Sequence, residues 1–171
     1  APGGDSNRQF GYSVAIDGNL ACVASDQGET DSLGSGWIHL LPLDRHDTSG
    51  QTILRAPDRK WPDRFGSAMC LEQPRLLVGA PMDAEHGWDA GAAWLFEVVD
   101  TGWKLAARLQ PDDAEEGASF GAAVDLDGDL AVIGSPRADG VGLDCGSAQL
   151  FTKMRDDWVA GSVLTAPDQA S

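Results

Sequence analysis

The stretch FGYSVAIDGNLACVAS at residues 10–25 returns as FGSAMCLEQPRLLVGA at 65–80 and as FGAAVDLDGDLAVIGS at 120–135, each copy 55 residues after the last. The same interval aligns Gly36, Gly91 and Gly146, then Leu40, Leu95 and Leu150, then Leu54, Leu109 and Leu164, with no insertion in any copy. A fixed period of this size constrains the fold more than any composition does. It is the mark of a solenoid or propeller, in which one unit cannot bury its apolar faces alone and stacks on its neighbours. Ala1-Pro2 aligns with Ala56-Pro57, and LRAPD at 54–58 answers LTAPD at 164–168, so the expected organisation is a single three-blade unit with repeats at about 10–64, 65–119 and 120–171. No charged and apolar leader precedes Ala1, which fits either a mature chain or an excised piece.

Each repeat reads as four short strands. Phe10–Ile16 and Leu20–Ala24 flank a turn containing Asp17 and Gly18, residues that tolerate the positive φ of a tight hairpin; Asp127-Gly128 repeats this, whereas Gln73-Pro74 must turn differently. Third strands are expected at Trp37–Leu43, Ala92–Val98 and Ser147–Lys153, and fourth strands near Gln51–Ala56, Trp103–Gln110 and Trp158–Ala166. LACVA, LLVGA and LAVIG are apolar or small on both faces, as in a sheet covered on both sides. No segment reads as a helix. The expected fold is therefore all-β, three four-stranded antiparallel blades of a β-propeller.

Phe-Gly followed by LLVGAP at 76–81 and, more loosely, LAVIGSP at 130–136 resembles the FG-GAP repeats of integrin alpha subunits and many bacterial surface proteins. The first copy departs from it, with Ala24-Ser25-Asp26 in place of Gly-Ala-Pro. The resemblance implies a β-propeller, usually of about seven blades, and a cell-surface or extracellular setting. It also implies a calcium loop between the first two strands, but the register leaves only a tight hairpin there, with Asp125, Asp127 and Asp129 alternating between faces; cofactors are expected to be none. Three blades leave two edges and two apolar faces bare. A homodimer giving six blades, or a larger assembly supplying further repeats, is expected to complete the ring.

Composition narrows the function. The net charge of −15, with only 12 Lys and Arg, argues against nucleic acid and anionic membranes, and no apolar run is long enough to span a bilayer. Most of this acid falls in the loops joining strands two to three and strand four to the next blade, which share one face: Asp26, Glu29 and Asp31; Asp83, Glu85 and Asp89; Asp112, Asp113, Glu115 and Glu116; Asp139 and Asp144. Trp61 and Trp88 lie among them, the latter near His86; Arg59, Lys60, Arg64 and Arg137 are the few bases. An indole at a loop tip suggests either a contact surface or packing against the adjacent loop, and beside carboxylates it is equipped to stack on a sugar. Trp37, Trp94, Trp103 and Trp158 sit at strand positions and read as packing.

Catalysis finds little support. His39, His46 and His86 share no ligand spacing, no G-x-S-x-G elbow is present, and paired acids such as Asp112-Asp113 are adjacent rather than opposed across a bond. Cys22 and Cys70 fall at apolar strand positions, while Cys145 lies in a glycine-rich loop and is the thiol expected to react or to link chains. The expected function is a non-catalytic module recognising protein or glycan through its acidic loops, with Trp61, Asp83, Glu85, His86, Trp88, Asp89, Asp139 and Asp144 as contact residues. The alternatives are an assembly subunit working through its blade edges, or a lectin with a sugar pocket in each blade.

Overall fold

The computed structural model describes residues 9–25, 36–44, 50–57, 63–139 and 142–167. Its strands are β1 (Phe10–Asp17), β2 (Leu20–Ser25), β3 (Trp37–Pro42) and β4 (Thr52–Arg55); β5 (Ala68–Glu72), β6 (Arg75–Ala80), β7 (Ala92–Val99) and β8 (Gly102–Leu109); and β9 (Ala123–Asp127), β10 (Leu130–Ser135), β11 (Ser147–Met154) and β12 (Asp157–Thr165). They form three separate sheets, each an antiparallel meander of four strands in chain order. The described residues include no helix. These are propeller-like blades. The first strands lie side by side, β1 against β5 and β5 against β9, so the sheets fan out from a common inner edge.

The turns follow the sequence closely. Asp17 pairs with Leu20 and Asp127 with Leu130, closing two-residue turns in which Gly18 and Gly128 take φ of +54° and +55°; the aspartates themselves remain strand ends. In the second blade the turn is made by a cis Gln73-Pro74 peptide.

The core lies between blades rather than within them. Cys22, Ile38, Leu40 and Leu54 on one side of the first blade meet Phe65, Leu71, Leu76, Val78 and Phe96 of the second. Leu77, Ala93, Leu95 and Leu109 on the far side of the second blade meet Phe120, Leu126, Ala131, Ile133 and Phe151 of the third. Each blade thus presents a socket face to its successor, which supplies a plug. The plug is the Phe of Phe-Gly, and both Phe65 and Phe120 are fully enclosed, edge-on to Phe96 and Phe151 at 6.0 and 6.1 Å.

Glycine is required at these joints. Gly66 and Gly121 turn the chain at φ of +95° and +90°, a region hostile to side chains. A Cβ on Gly79 would come to 1.9 Å from the Gly121 carbonyl oxygen, and one on Gly91 to 2.1 Å from that of Phe120. Two backbones meet where side chains would have held them apart.

Candidate functional site

The segment between β6 and β7 and the one between β8 and β9 run against each other on one face, as their shared side of the meander requires. Gly117 N–H donates to the Trp88 carbonyl at 2.7 Å, Ser119 N–H to Asp89 at 2.9 Å and Phe120 N–H to Ala90 at 3.0 Å. Glu115 then reaches the third blade, where its carboxylate accepts the Asp139 N–H at 2.9 Å, and Asp139 in turn accepts the Asp144 N–H at 2.9 Å. These bonds join Trp88, Asp89, Glu115, Asp139 and Asp144 into one continuous surface.

The expected contact residues fall into different environments on it. Trp88 is 65% exposed, with His86 and Glu85 also facing solvent. Asp89 is half-buried and holds a left-handed φ of +51°, and Asp144, exposed, holds the same φ. Asp139 is exposed but spends one oxygen on its neighbour. Asp83 is different. Its side chain is wholly buried, and its Oδ1 accepts both Arg108 Nη2 at 2.7 Å and the Glu85 N–H at 3.0 Å. Arg108 also approaches Glu85 at 3.3 Å and lies over the Trp94 ring at 5.2 Å. Asp83 therefore organises the loop that carries Trp88 and has no surface to offer a ligand. Trp61, Asp26, Glu29, Asp31, Arg59, Lys60 and His46 lie outside the described residues.

One surface residue escaped the sequence reading. Leu143 stands 55 positions after Trp88 and is 85% exposed, so the second and third blades each raise a large apolar side chain at the same place. The signal was there in Gly87-Trp88-Asp89-Ala90-Gly91 and Gly142-Leu143-Asp144-Cys145-Gly146, but a search for repeated aromatics passes over a leucine.

A cavity of about 120 Å³ opens beside this surface, lined among others by Asp113, Glu115, Asp139, Ser135, Ser147 and Gln149. Its origin lies in the repeat. Where the second blade has Asp83, Trp94 and Arg108, the third has Ala138, Gln149 and Val163, and the smaller side chains leave space. That volume is small against the roughly 300–1,000 Å³ of pockets that enclose whole ligands, so it suits the tip of a side chain or one polar substituent of a glycan. A separate cleft of about 340 Å³ gathers Arg64 and Arg137 with Asp89, so these two bases stand together on the acidic face.

On the opposite face, the three aspartates of the β9–β10 hairpin do not converge. Asp125 accepts Cys70 Sγ at 3.2 Å, Asp129 lies 3.3 Å from Arg75, and Asp127 faces solvent. That arrangement does not suit calcium, which needs six to eight oxygens aimed at one point. The four remaining tryptophans are buried or half-buried in the blades. The cysteines are free: burial pushes the Cys22 thiol up to about 12, and burial together with Asp125 pushes Cys70 up to about 11, while Cys145 is exposed.

Three consecutive four-stranded meanders fanned about their first strands, the first and second each plugged by the Phe-Gly turn of the next, define a propeller-type repeat module. Residues 103–151, from β8 to β11, match the family model of the FG-GAP repeat. No curated protein matches the chain.

Proposed function

We propose that this chain is a non-catalytic recognition module, at a cell surface or outside the cell, that binds protein or glycan through the acidic face carrying Trp88 and Leu143. FG-GAP repeats are typically non-catalytic modules, often in binding or adhesion. The observation that carries the reading is Trp88. Its indole is 65% exposed, yet the loop beneath it is pinned by the Asp83–Arg108 ion pair and by the Gly117 bond to its own carbonyl. A rigidly presented aromatic loses little entropy on contact, which is why such residues dominate binding surfaces. Carboxylates around the cavity supply acceptors for hydroxyls or for basic side chains.

The test is a defined glycan array and an array of basic peptides, each probed with the wild-type protein and with Trp88→Ala. A probe that the wild type retains and that Trp88→Ala binds at least tenfold more weakly, with unchanged thermal stability, supports the reading. If every probe retained by the wild type is held equally by the variant, Trp88 is not a contact and the reading fails. The lectin reading is less favoured, because the cavity in the third blade is filled by Arg108 and Trp94 at the equivalent place in the second.

A further inference from the structure

Two arginines of this strongly acidic chain stand on the wall of one cleft without a counter-charge. Arg64, just before the Phe-Gly turn of the second blade, and Arg137, just after β10 of the third, both line the space of about 340 Å³ between those blades on the loop-rich face. Other bases are paired: Arg75 and Lys153 bind Glu97, Arg108 binds Asp83, and Arg55 lies over the Trp37 ring at 4.4 Å. Arg64 and Arg137 are exposed, and neither guanidinium has an ion pair, hydrogen bond or ring contact among the described residues.

The fold does not require these charges. The place of Arg64, with its left-handed φ of +53°, is held one repeat earlier by Gln9 at +42° and one repeat later by Ser119 at +56°. The place of Arg137 is held in the second blade by Met82. Uncharged side chains therefore suffice to build both corners, and the two arginines are an addition to them. Like charges on one cleft repel each other unless an anion lies between them.

The rest of the cleft selects the anion. Asp89 is half-buried on it and forms no ion pair among the described residues. Its charge opposes a dianion such as phosphate, and its oxygens need donors that a simple carboxylate does not bring. A ring bearing both a carboxylate and hydroxyls satisfies the two sides: the carboxylate meets the planar guanidinium forks, and the hydroxyls donate to Asp89. Pro81, Met82 and Pro136 add apolar surface on which the C–H face of a sugar can rest. The volume lies at the lower end of the roughly 300–1,000 Å³ of ligand pockets, which suits one ring of a chain.

We propose that this cleft binds a uronic acid residue of an acidic glycan, with Arg64 and Arg137 on its carboxylate and Asp89 on its hydroxyls. The proposal rests on the recognition reading and names a ligand class for it, at a place that Trp88 does not line.

The experiment is isothermal titration calorimetry with trisaccharides of galacturonate, glucuronate and mannuronate, each beside its neutral hexose counterpart, and with a triglutamate peptide. The proteins are the wild type, Arg64→Gln, Arg137→Met, Asp89→Asn and Trp88→Ala. The first two substitutions install residues that other repeats carry at the same places, Asn tolerates the left-handed backbone of Asp89, and a thermal melt of each variant checks that it is folded. The wild type is expected to bind at least one uronate trisaccharide, and to bind its neutral counterpart at least tenfold more weakly. Either arginine substitution should weaken the uronate at least tenfold and Asp89→Asn several-fold. Trp88→Ala should keep the uronate affinity, so that loss of a Trp88 contact and loss of the cleft are told apart. No binding of any uronate at millimolar concentration, equal affinity for the neutral sugar, indifference to any of the three cleft substitutions, or a glutamate peptide held as tightly as the uronate would each overturn the proposal.

Discussion

Phe65 and Phe120 are sealed between blades, whereas Phe10, at the same repeat position, is 44% exposed and rests edge-on against His39 at 5.1 Å; the Phe-Gly dipeptide is the same in all three and the neighbours differ. The comparison shows that the motif specifies a joint rather than a blade. Its phenylalanine is a core residue when a preceding sheet exists and a surface residue when none does. A propeller-like array is therefore stabilised pairwise.

The comparison breaks most visibly at the phenylalanines themselves. Phe120→Ala should cost about 3–5 kcal/mol, as removal of a fully enclosed aromatic does, while Phe10→Ala, which removes a half-exposed ring packed edge-on against His39, should cost only about 1 kcal/mol. Urea unfolding followed by tryptophan fluorescence measures both. Equal losses at the two positions would mean that Phe10 is as enclosed as Phe120.

The glycines sharpen it next. In Gly79→Ala the added methyl runs into the Gly121 carbonyl oxygen at 1.9 Å, a backbone atom that cannot swing aside, and overpacking of this kind costs about 1–3 kcal/mol. Gly134→Ala adds the same methyl at the equivalent place, 3.4 Å from the nearest atom, and should be neutral or stabilise by up to about 1 kcal/mol through lower chain entropy in the unfolded state. Thermal melts of the two variants at low concentration decide the matter. Destabilisation by Gly134→Ala would show that the third blade is already pressed on its outer face.

Much of this was legible before any coordinates. The 55-residue register fixed the strand order, the hairpins and the number of blades, because backbone turns and alternation are local properties. Asp83 was not legible. Its burial depends on Arg108, which sits in a different strand and occurs in one blade alone, so a loop carboxylate that looked like a ligand contact turned out to be part of the frame. Leu143 shows the reverse: its residue type suggests core, and only its position opposite Trp88 in the repeat marks it as surface. Composition can say that a face is acidic, but which acids remain available depends on partners distant in sequence.

The two internal joints also differ from one another, and the smallest predicted effect lies there. Glu97 binds Lys153 at 2.8 Å and Arg75 at 2.9 Å, clamping the second blade to the third near the β5–β6 and β9–β10 turns. The positions equivalent to Arg75, Glu97 and Lys153 one repeat earlier are Leu20, Pro42 and Val98, so the first joint has no such clamp. Lys153, and after it Arg75, hold the Glu97 carboxyl below its ordinary value of 4.5, despite some burial. A folded-state value lower than the unfolded one contributes stability that is present above pH 4.5 and is lost as pH falls through the folded value. Glu97→Gln should therefore cost about 1 kcal/mol near neutrality, and the gap from wild type should close under acid. Hydrogen exchange resolved by segment reads this directly: acid should raise exchange in β9 and β10 relative to β1 and β2 in the wild type and should leave that ratio unchanged in Glu97→Gln. If acid loosens both joints equally, the clamp does not distinguish them, and the apolar plugs account for the stability of each.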